Sequence, residues 1–291
     1  MKSPFSYERA FSRNIGWVTA AEQETLRRKC VALAGLGGVG GSHLLTLTRL
    51  GIGRFHISDS DVFEIVNFNR QVGATTNSIG RSKTEVLSEM ARAINPELVL
   101  DVFDNGVSEQ NVDAFLEGAD LYVDGLDFFA FSARKAVFAT CARNRIPAVT
   151  AAPLGMGSAV LTFMPGGMTF EQYFCWDGCT EDEMALRFVV SLSPTMLQRR
   201  YLADPTAVDF RNRKVPSTAI GCEICAGMAA TEILKILLDR GSVLCAPHGI
   251  HFDAYRNKLV RTWRPGGNRN PLQRLVLAVA TRQFSRASER V

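Results

Sequence analysis

The 291-residue sequence predicts an α/β fold: a doubly wound, mostly parallel sheet with additional antiparallel strands and a long crossover segment. Three observations predict it. Short apolar strands alternate with helical patterns from Val31 to Ala151. A glycine-rich turn follows the first strand in VALAGLGGVGG, and the alternation breaks after Pro153. Beyond that proline one more strand leads into an irregular stretch, Pro165 to Ser217, a length that marks a lid or binding segment with some helix of its own.

The elements follow in order. Residues 1–29 form an N-terminal arm, in which Thr19 and Glu22 have capping-box spacing ahead of a helix over Ala20–Arg28. Val31–Ala34 is the first strand, Gly35 to Gly41 the turn, and His43–Leu50 a helix; RFHIS is the second strand and ends at Asp59. Lys83–Ile94 has Val86, Leu87, Met90 and Ile94 at helical spacing and is stopped by Pro96. Leu98–Phe103 is the third strand, Val112–Leu116 helical, and Leu121–Asp124 a buried strand with Asp124 and Asp127 at its carboxyl end. Helix Ser132–Arg143, strand Ile146–Ala151 and strand Ser158–Phe163 follow, then a helix over Ala185–Tyr201 inside the long segment. Thr218–Leu238 is a long apolar helix, Arg256-Asn257 turns a hairpin between His251–Tyr255 and Leu259–Trp263, and Pro271–Phe284 is an amphipathic helix. In that last helix Leu272, Leu275, Val276 and Val279 form one stripe, which predicts docking on the domain or a partner. The expected units are thus the arm, a domain over 30–264 with its crossover at 165–216, and a basic helix over 265–291.

Composition excludes several classes. The 46% hydrophobic content supports a sizeable core, and a net charge of +4 does not suggest nucleic-acid binding. The positive charge is concentrated at the end, with nine basic residues against Glu289 alone from Arg256 to Val291. Apolar runs are too short for a membrane span, and the N-terminus lacks an apolar core of signal length. Seven cysteines without a secreted-scaffold rhythm suit reduced thiols, so a cytoplasmic protein is expected.

Glycines at a strand–helix turn let backbone N–H groups meet phosphate oxygens, with the helix N-terminus adding partial positive charge. Asp59 lies where a ribose-binding acid is expected, which alone suits a nicotinamide oxidoreductase. The next residues favour a triphosphate: Asp61, then Asn67, Asn69, Arg70 and Gln71, then Lys83 at the start of a helix. The motifs GLGGVGG, SDSDVFEIVNFNRQ, GRSK and VDGLD, in that order and followed by AATEILKILLDRG, make the sequence resemble the ThiF/MoeB/HesA superfamily, relatives of ubiquitin-activating enzymes.

That resemblance implies a Rossmann-like adenylation domain that uses ATP and Mg²⁺ to activate a carboxylate as an acyl-adenylate. Carried over, it implies a nucleotide-binding set of Gly35, Gly37, Gly38, Gly40, Asp59, Asp61, Asn67, Arg70, Gln71, Lys83 and Asp124. Arg70, Lys83 and Asp127 are the implied catalytic residues, with Asp127 on the metal and an arm arginine, Arg13 or else Arg9, reaching in from a second subunit. The implied partners are a second copy of the chain and an acceptor: a ubiquitin-like protein tail, a peptide or a small acid, with tRNA less favoured. The charges have a physical purpose. At ~4 Å and an effective dielectric of ~20, each pair of like unit charges costs about 4 kcal/mol, and a carboxylate must approach a tetra-anion.

The cysteines depart from the family pattern. Cys175 and Cys179 are spaced CxxxC, and Cys222 and Cys225 open the long helix; joint zinc binding is the less favoured reading against thiols packing a helix. Cys179 is the best placed candidate nucleophile. His43 and His56 are expected in or beside the core, and a histidine mechanism has little support. An NAD-linked oxidoreductase and a non-catalytic nucleotide-holding subunit are the competing functions.

Overall fold

A computed structural model describes residues 5–210 and 212–288, the side chains through residue 282. Eight strands form one sheet: β1 (Cys30–Ala34), β2 (Arg54–Ser58), β3 (Val99–Phe103), β4 (Leu121–Asp124), β5 (Ala148–Pro153), β6 (Gly157–Phe163), β7 (His248–Asp253) and β8 (Lys258–Trp263). Their order is β3-β2-β1-β4-β5-β6-β7-β8. The first five run parallel, with Ala32 opposite both His56 and Tyr122, and β6 to β8 add antiparallel. The predicted doubly wound sheet with antiparallel additions is therefore the observed one. The helices are α1 (Tyr7–Ala10), α2 (Ala20–Arg28), α3 (Gly38–Leu50), α4 (Lys83–Ile94), α5 (Val112–Leu116), α6 (Phe131–Arg143), α7 (Phe170–Phe174), α8 (Glu181–Leu192), α9 (Ala219–Leu237) and α10 (Pro271–Ser288). Among the described residues no helix is long and apolar enough to cross a membrane.

Strand periodicity divides the core in two. Val31, Leu33, Phe55, Ile57, Leu121 and Val123 point to the face covered by α3, α4 and α9. Ala32, Ala34, Tyr122, Ala148, Leu161 and Phe163 point to the other, covered by α5, α6, α7 and α8. A parallel sheet buried on both faces needs apolar residues at successive positions, which is why these strands read as continuous apolar runs.

The structure corrects three expectations. The first α-helix of the sheet begins at Gly38, so Gly38, Gly40 and Gly41 lie in its first turns rather than in a separate loop. The helix expected over Ala185–Tyr201 is α8, starting at Glu181 behind a Thr180–Glu183 capping box and ending at Leu192 before Pro194. The stripe on α10 is not what packs the helix on its own chain: Leu272, Leu275 and Val279 are exposed, Val276 is half-buried, and the helix meets α8 through the buried Gln273. A wholly buried side-chain amide there finds the Val190 carbonyl and Ser191 hydroxyl, which a Leu could not use. The Thr19–Glu22 capping box of α2 is present.

Candidate functional site

The strand order reverses direction between β1 and β4, and the carboxyl ends of those strands open the crevice where doubly wound sheets hold ligands. Two loops meet there, and the glycines have separate tasks. A Cβ on Gly40 would lie 1.8 Å from the Gly35 carbonyl oxygen, and one on Gly35, which has φ +86°, 2.2 Å from that of Gly125. Gly35, Gly40 and Gly125 therefore let three backbone segments touch. Gly37, which caps α3, and Gly38, its first residue, instead face side chains: a Cβ on Gly37 would meet Gln71 Nε2 at 3.7 Å, and one on Gly38 would meet Arg70 Cγ at 3.3 Å.

A hydrogen-bonded relay joins this turn to Lys83. The Leu36 N–H donates to Asp59 Oδ2 at 2.6 Å, the Asp61 N–H donates to Asp59 Oδ1 at 2.8 Å, and Lys83 Nζ pairs with Asp61 Oδ2 at 2.8 Å. Lys83 is only 6% exposed, so it is no solvated surface cation; its amide also donates to the Asp61 carbonyl. Arg70 is half-buried beside the start of α3 and donates to the Val66 carbonyl and the Asn69 side chain, both at 3.0 Å. Gln71 is buried, and its Oε1 has no hydrogen-bond partner among the described residues. Asn67 is buried too, its Oδ1 accepting the Glu64 N–H at 2.9 Å and so closing the turn that carries Arg70. Arg70, from the loop before α4, and Lys83, the first residue of α4, are thus held on the side of the sheet where the 13-residue α3 begins, an arrangement of charge and helix N-terminus that suits an anion.

The acids after β4 part company. Asp127 is exposed; its Oδ1 accepts the Phe129 N–H at 2.9 Å, and its other oxygen has no protein partner among the described residues. Such a carboxylate suits a hard cation that draws its remaining ligands from water and phosphate. Asp124 does not face the groove. It is buried, with Oδ2 held by Arg134 Nε at 2.9 Å and Thr150 Oγ1 at 2.8 Å, and Oδ1 by the Leu126 N–H at 3.2 Å. Arg134 also donates to the carbonyls of Leu126, Phe128 and Asp127, so the pair secures the loop that carries Asp127. Gly125 and Arg134 are the residues the sequence reading missed. The signals were a glycine directly after a central strand, and a lone arginine on the apolar start of α6.

Arg13 is remote from the groove of its own chain. Its neighbour Asn14 donates to the Leu50 carbonyl at 3.2 Å, at the far end of α3. The 13 residues of that helix span ~20 Å. Arg9 and Arg13 are both exposed.

The cysteines are not assembled. Among the described residues no three or more His, Cys, Asp or Glu side chains are grouped to hold a metal, so Cys175 and Cys179 do not meet Cys222 and Cys225 in a zinc site. Cys222 and Cys225 are buried in α9. Burial pushes the Cys179 thiol up, against the thiolate a nucleophile needs. His43 is wholly buried with its pKa pushed down by desolvation to about 4, and His251, likewise at about 4, accepts or donates at Ser193 Oγ, 2.9 Å away. His56 is buried, with Nδ1 2.8 Å from the Phe115 carbonyl.

Residues 11–275 match the ThiF family. The chain belongs to it. Among its relatives, the tRNA threonylcarbamoyladenosine dehydratase of Haemophilus influenzae is 34% identical over 146 residues, 50% of this chain and 55% of that protein. The chain thus spans about half the length of that relative. Protein HesA of Nostoc is 25% identical over 228 residues, 72% of this chain and 89% of HesA. In three dimensions PaaA matches with a TM-score of 0.67 at 17% identity, covering 90% of this chain and 77% of PaaA. Escherichia coli MccB crystallised with ATP matches with a TM-score of 0.65 at 20% identity, covering 89% of this chain and 73% of MccB. These structural likenesses bear on the fold.

Proposed function

We propose that this ThiF-family chain is an ATP-dependent adenylyltransferase that converts a substrate carboxylate to an acyl-adenylate and releases pyrophosphate. The observation that carries the reading is the relay from the glycine turn through Asp59 and Asp61 to the buried Lys83, with Arg70 on the opposite side of the α3 N-terminus. A nicotinamide site has no use for two cations there.

In the proposed reaction a carboxylate oxygen of the acceptor bonds to the α-phosphorus of ATP while the bond from that phosphorus to the α–β bridging oxygen breaks, its electron pair leaving with pyrophosphate. Asp59 takes the ribose hydroxyls, and the amides of Gly37 and Gly38 meet the phosphates. Arg70 and Lys83 bear on the charge that builds on the leaving group, the kind of interaction whose loss costs on the order of 10² to 10³ in rate. Asp127 would hold a magnesium ion, which would supply further charge neutralisation at the phosphates. Asn67 and Asp124 act by holding the two loops.

The site is completed by a second copy of the chain. Ile65, Val66 and Phe68 are exposed near the head of α3, and Ile15 and Trp17, the latter 84% exposed, beside its tail. A two-fold axis would lay the Ile65, Val66 and Phe68 cluster of each copy on the Ile15 and Trp17 cluster of the other, and so carry Arg13 to the partner's groove.

Acceptor-dependent exchange of labelled pyrophosphate into ATP tests the reaction, with peptides ending in Gly-Gly, small acids and modified tRNA as candidate acceptors. Exchange should appear with one class, and Arg70→Ala and Lys83→Ala should each lower it on the order of 10²- to 10³-fold. Tighter binding of NAD than of Mg-ATP would favour the oxidoreductase, and function that survives the double variant would favour a non-catalytic subunit. Mixing inactive Arg13→Ala with inactive Lys83→Ala should restore about a quarter of the wild-type activity, because half the dimers would then hold one intact site. No recovery on mixing would place the arginine in its own chain or out of the reaction.

A further inference from the structure

The basic C-terminal segment has no part in the proposed reaction, yet some of its arginines line a cavity of about 630 Å³ between α7, α8 and the start of α10. Arg187 of α8, Arg269 just before α10 and Arg274 of α10 converge there with Glu171 and Asp177. The acids do not neutralise them. Asp177 turns to Lys135, 3.6 Å away, Arg187 donates to the Cys175 carbonyl, and among the described residues neither Arg269 nor Arg274 has an ion pair or side-chain hydrogen bond.

Two further observations separate this cavity from an ordinary solvated surface. Arg274 sits in the first turn of an 18-residue helix that has no acid there, where the helix dipole disfavours a cation. A local rule broken without compensation is characteristic of a functional position. The wall is also rigid where the arginines attach. Asn268, beside Arg269, is buried, donating from Nδ2 to the Phe174 carbonyl at 2.7 Å and accepting Ser191 Oγ at 2.5 Å. Gln273, beside Arg274, is buried against the Val190 carbonyl and the same Ser191 hydroxyl, both at 3.4 Å. Each arginine thus hangs from a backbone whose neighbouring residue is pinned by buried hydrogen bonds, which fixes where the two side chains start.

We propose that this cavity binds a small phosphate ester, its phosphate on Arg187, Arg269 and Arg274 and its hydroxyl-bearing part towards Glu171 and Asp177. Guanidinium forks match phosphate oxygens in pairs, and carboxylates accept from hydroxyls. The volume lies in the range of small-ligand sites. The site is separate from the nucleotide groove: α7 and α8 cover one face of the sheet, whereas α3, whose head forms the groove, covers the other.

Isothermal titration of the full chain with ribose 5-phosphate and with inorganic phosphate, at constant ionic strength and with ATP saturating, tests this. Saturable binding of both is expected, tighter for the ester. The double variant Arg269→Gln/Arg274→Gln should weaken it at least tenfold, and Arg256→Gln, on the β7–β8 hairpin, should leave it unchanged. ATP affinity should be the same in all three proteins. Binding that is absent, that survives the double variant, or that competes with ATP would overturn the proposal. So would a tenfold preference for an oligonucleotide over ribose 5-phosphate. Both substituted arginines are exposed, and a melting temperature that rises more with ribose 5-phosphate in the wild type than in the double variant is an independent readout.

Discussion

Around the glycine turn backbones touch and charges are placed singly, whereas across the sheet, from β6 to α8, space is filled by rings. On the first side Gly35, Gly40 and Gly125 approach within what a methyl group would occupy, and the relay through Asp59 and Asp61 sets Lys83. On the second, Phe170 stacks on Phe138 with centroids 4.3 Å apart and meets Phe174 at 4.4 Å and Trp176 at 4.9 Å. Hydrogen bonds and ion pairs specify direction to a fraction of an ångström, which a groove for a charged ligand requires. Ring packing is tolerant of direction and supplies burial. The same contrast explains why Asp124, though at a strand end typical of ligand sites, serves the scaffold: its partner Arg134 lies on the ring-covered face, its guanidinium 4.7 Å from the centre of Phe188.

Substitutions on both sides of the sheet, and acid, would break or sharpen this contrast. The largest effects are expected from Phe170→Ala and Arg134→Leu, each about 4 kcal/mol in denaturant unfolding, for opposite reasons: a cavity in the first case, an uncompensated buried Asp124 in the second. The double variant Arg134→Leu/Asp124→Leu should then recover much of the loss, whereas no polar partner will rescue Phe170→Ala. If Arg134→Leu unfolds like wild type, the loop under Asp127 is not held as described.

Acid should act through buried histidines on both faces. His43 and His251 have native pKa values pushed down to about 4 from 6.5, so the unfolded chain binds more protons between those values. Stability should therefore fall as pH drops from about 6.5 towards about 4, and the slope should lessen in His251→Gln. A slope unchanged by that substitution would show that other groups carry the acid sensitivity. The smallest effects belong to two of the capping boxes, those that open α2 and α8. Thr19→Ala and Thr180→Ala should each cost about 1 kcal/mol, measured by thermal unfolding.

Much of the parallel half was legible, because continuous apolar runs, a glycine turn and a capping box are local signals. The nucleotide-facing residues were legible as a set but not as individuals. Nothing in GLGGVGG distinguishes Gly40, which admits a backbone, from Gly38, which faces Arg70. VDGLD likewise does not say that Asp124 turns inward while Asp127 faces solvent. The aromatic half was less legible: α7 was not anticipated, and the contact of α10 with α8 runs through Gln273, which the apolar stripe did not indicate.

By itself the sequence determined the alternation of strands and helices through β5 and the parallel character of that half of the sheet, since both follow from short apolar runs, helical spacing and turn residues along the chain. Tertiary structure alone decided which glycines face the groove, that Lys83 is buried and oriented by Asp61, that the cysteine pairs stay apart, and that Arg187, Arg269 and Arg274 share one cavity. The physical reason is that burial and charge compensation depend on what the fold brings to a side chain from distant positions, and no local pattern encodes that neighbour.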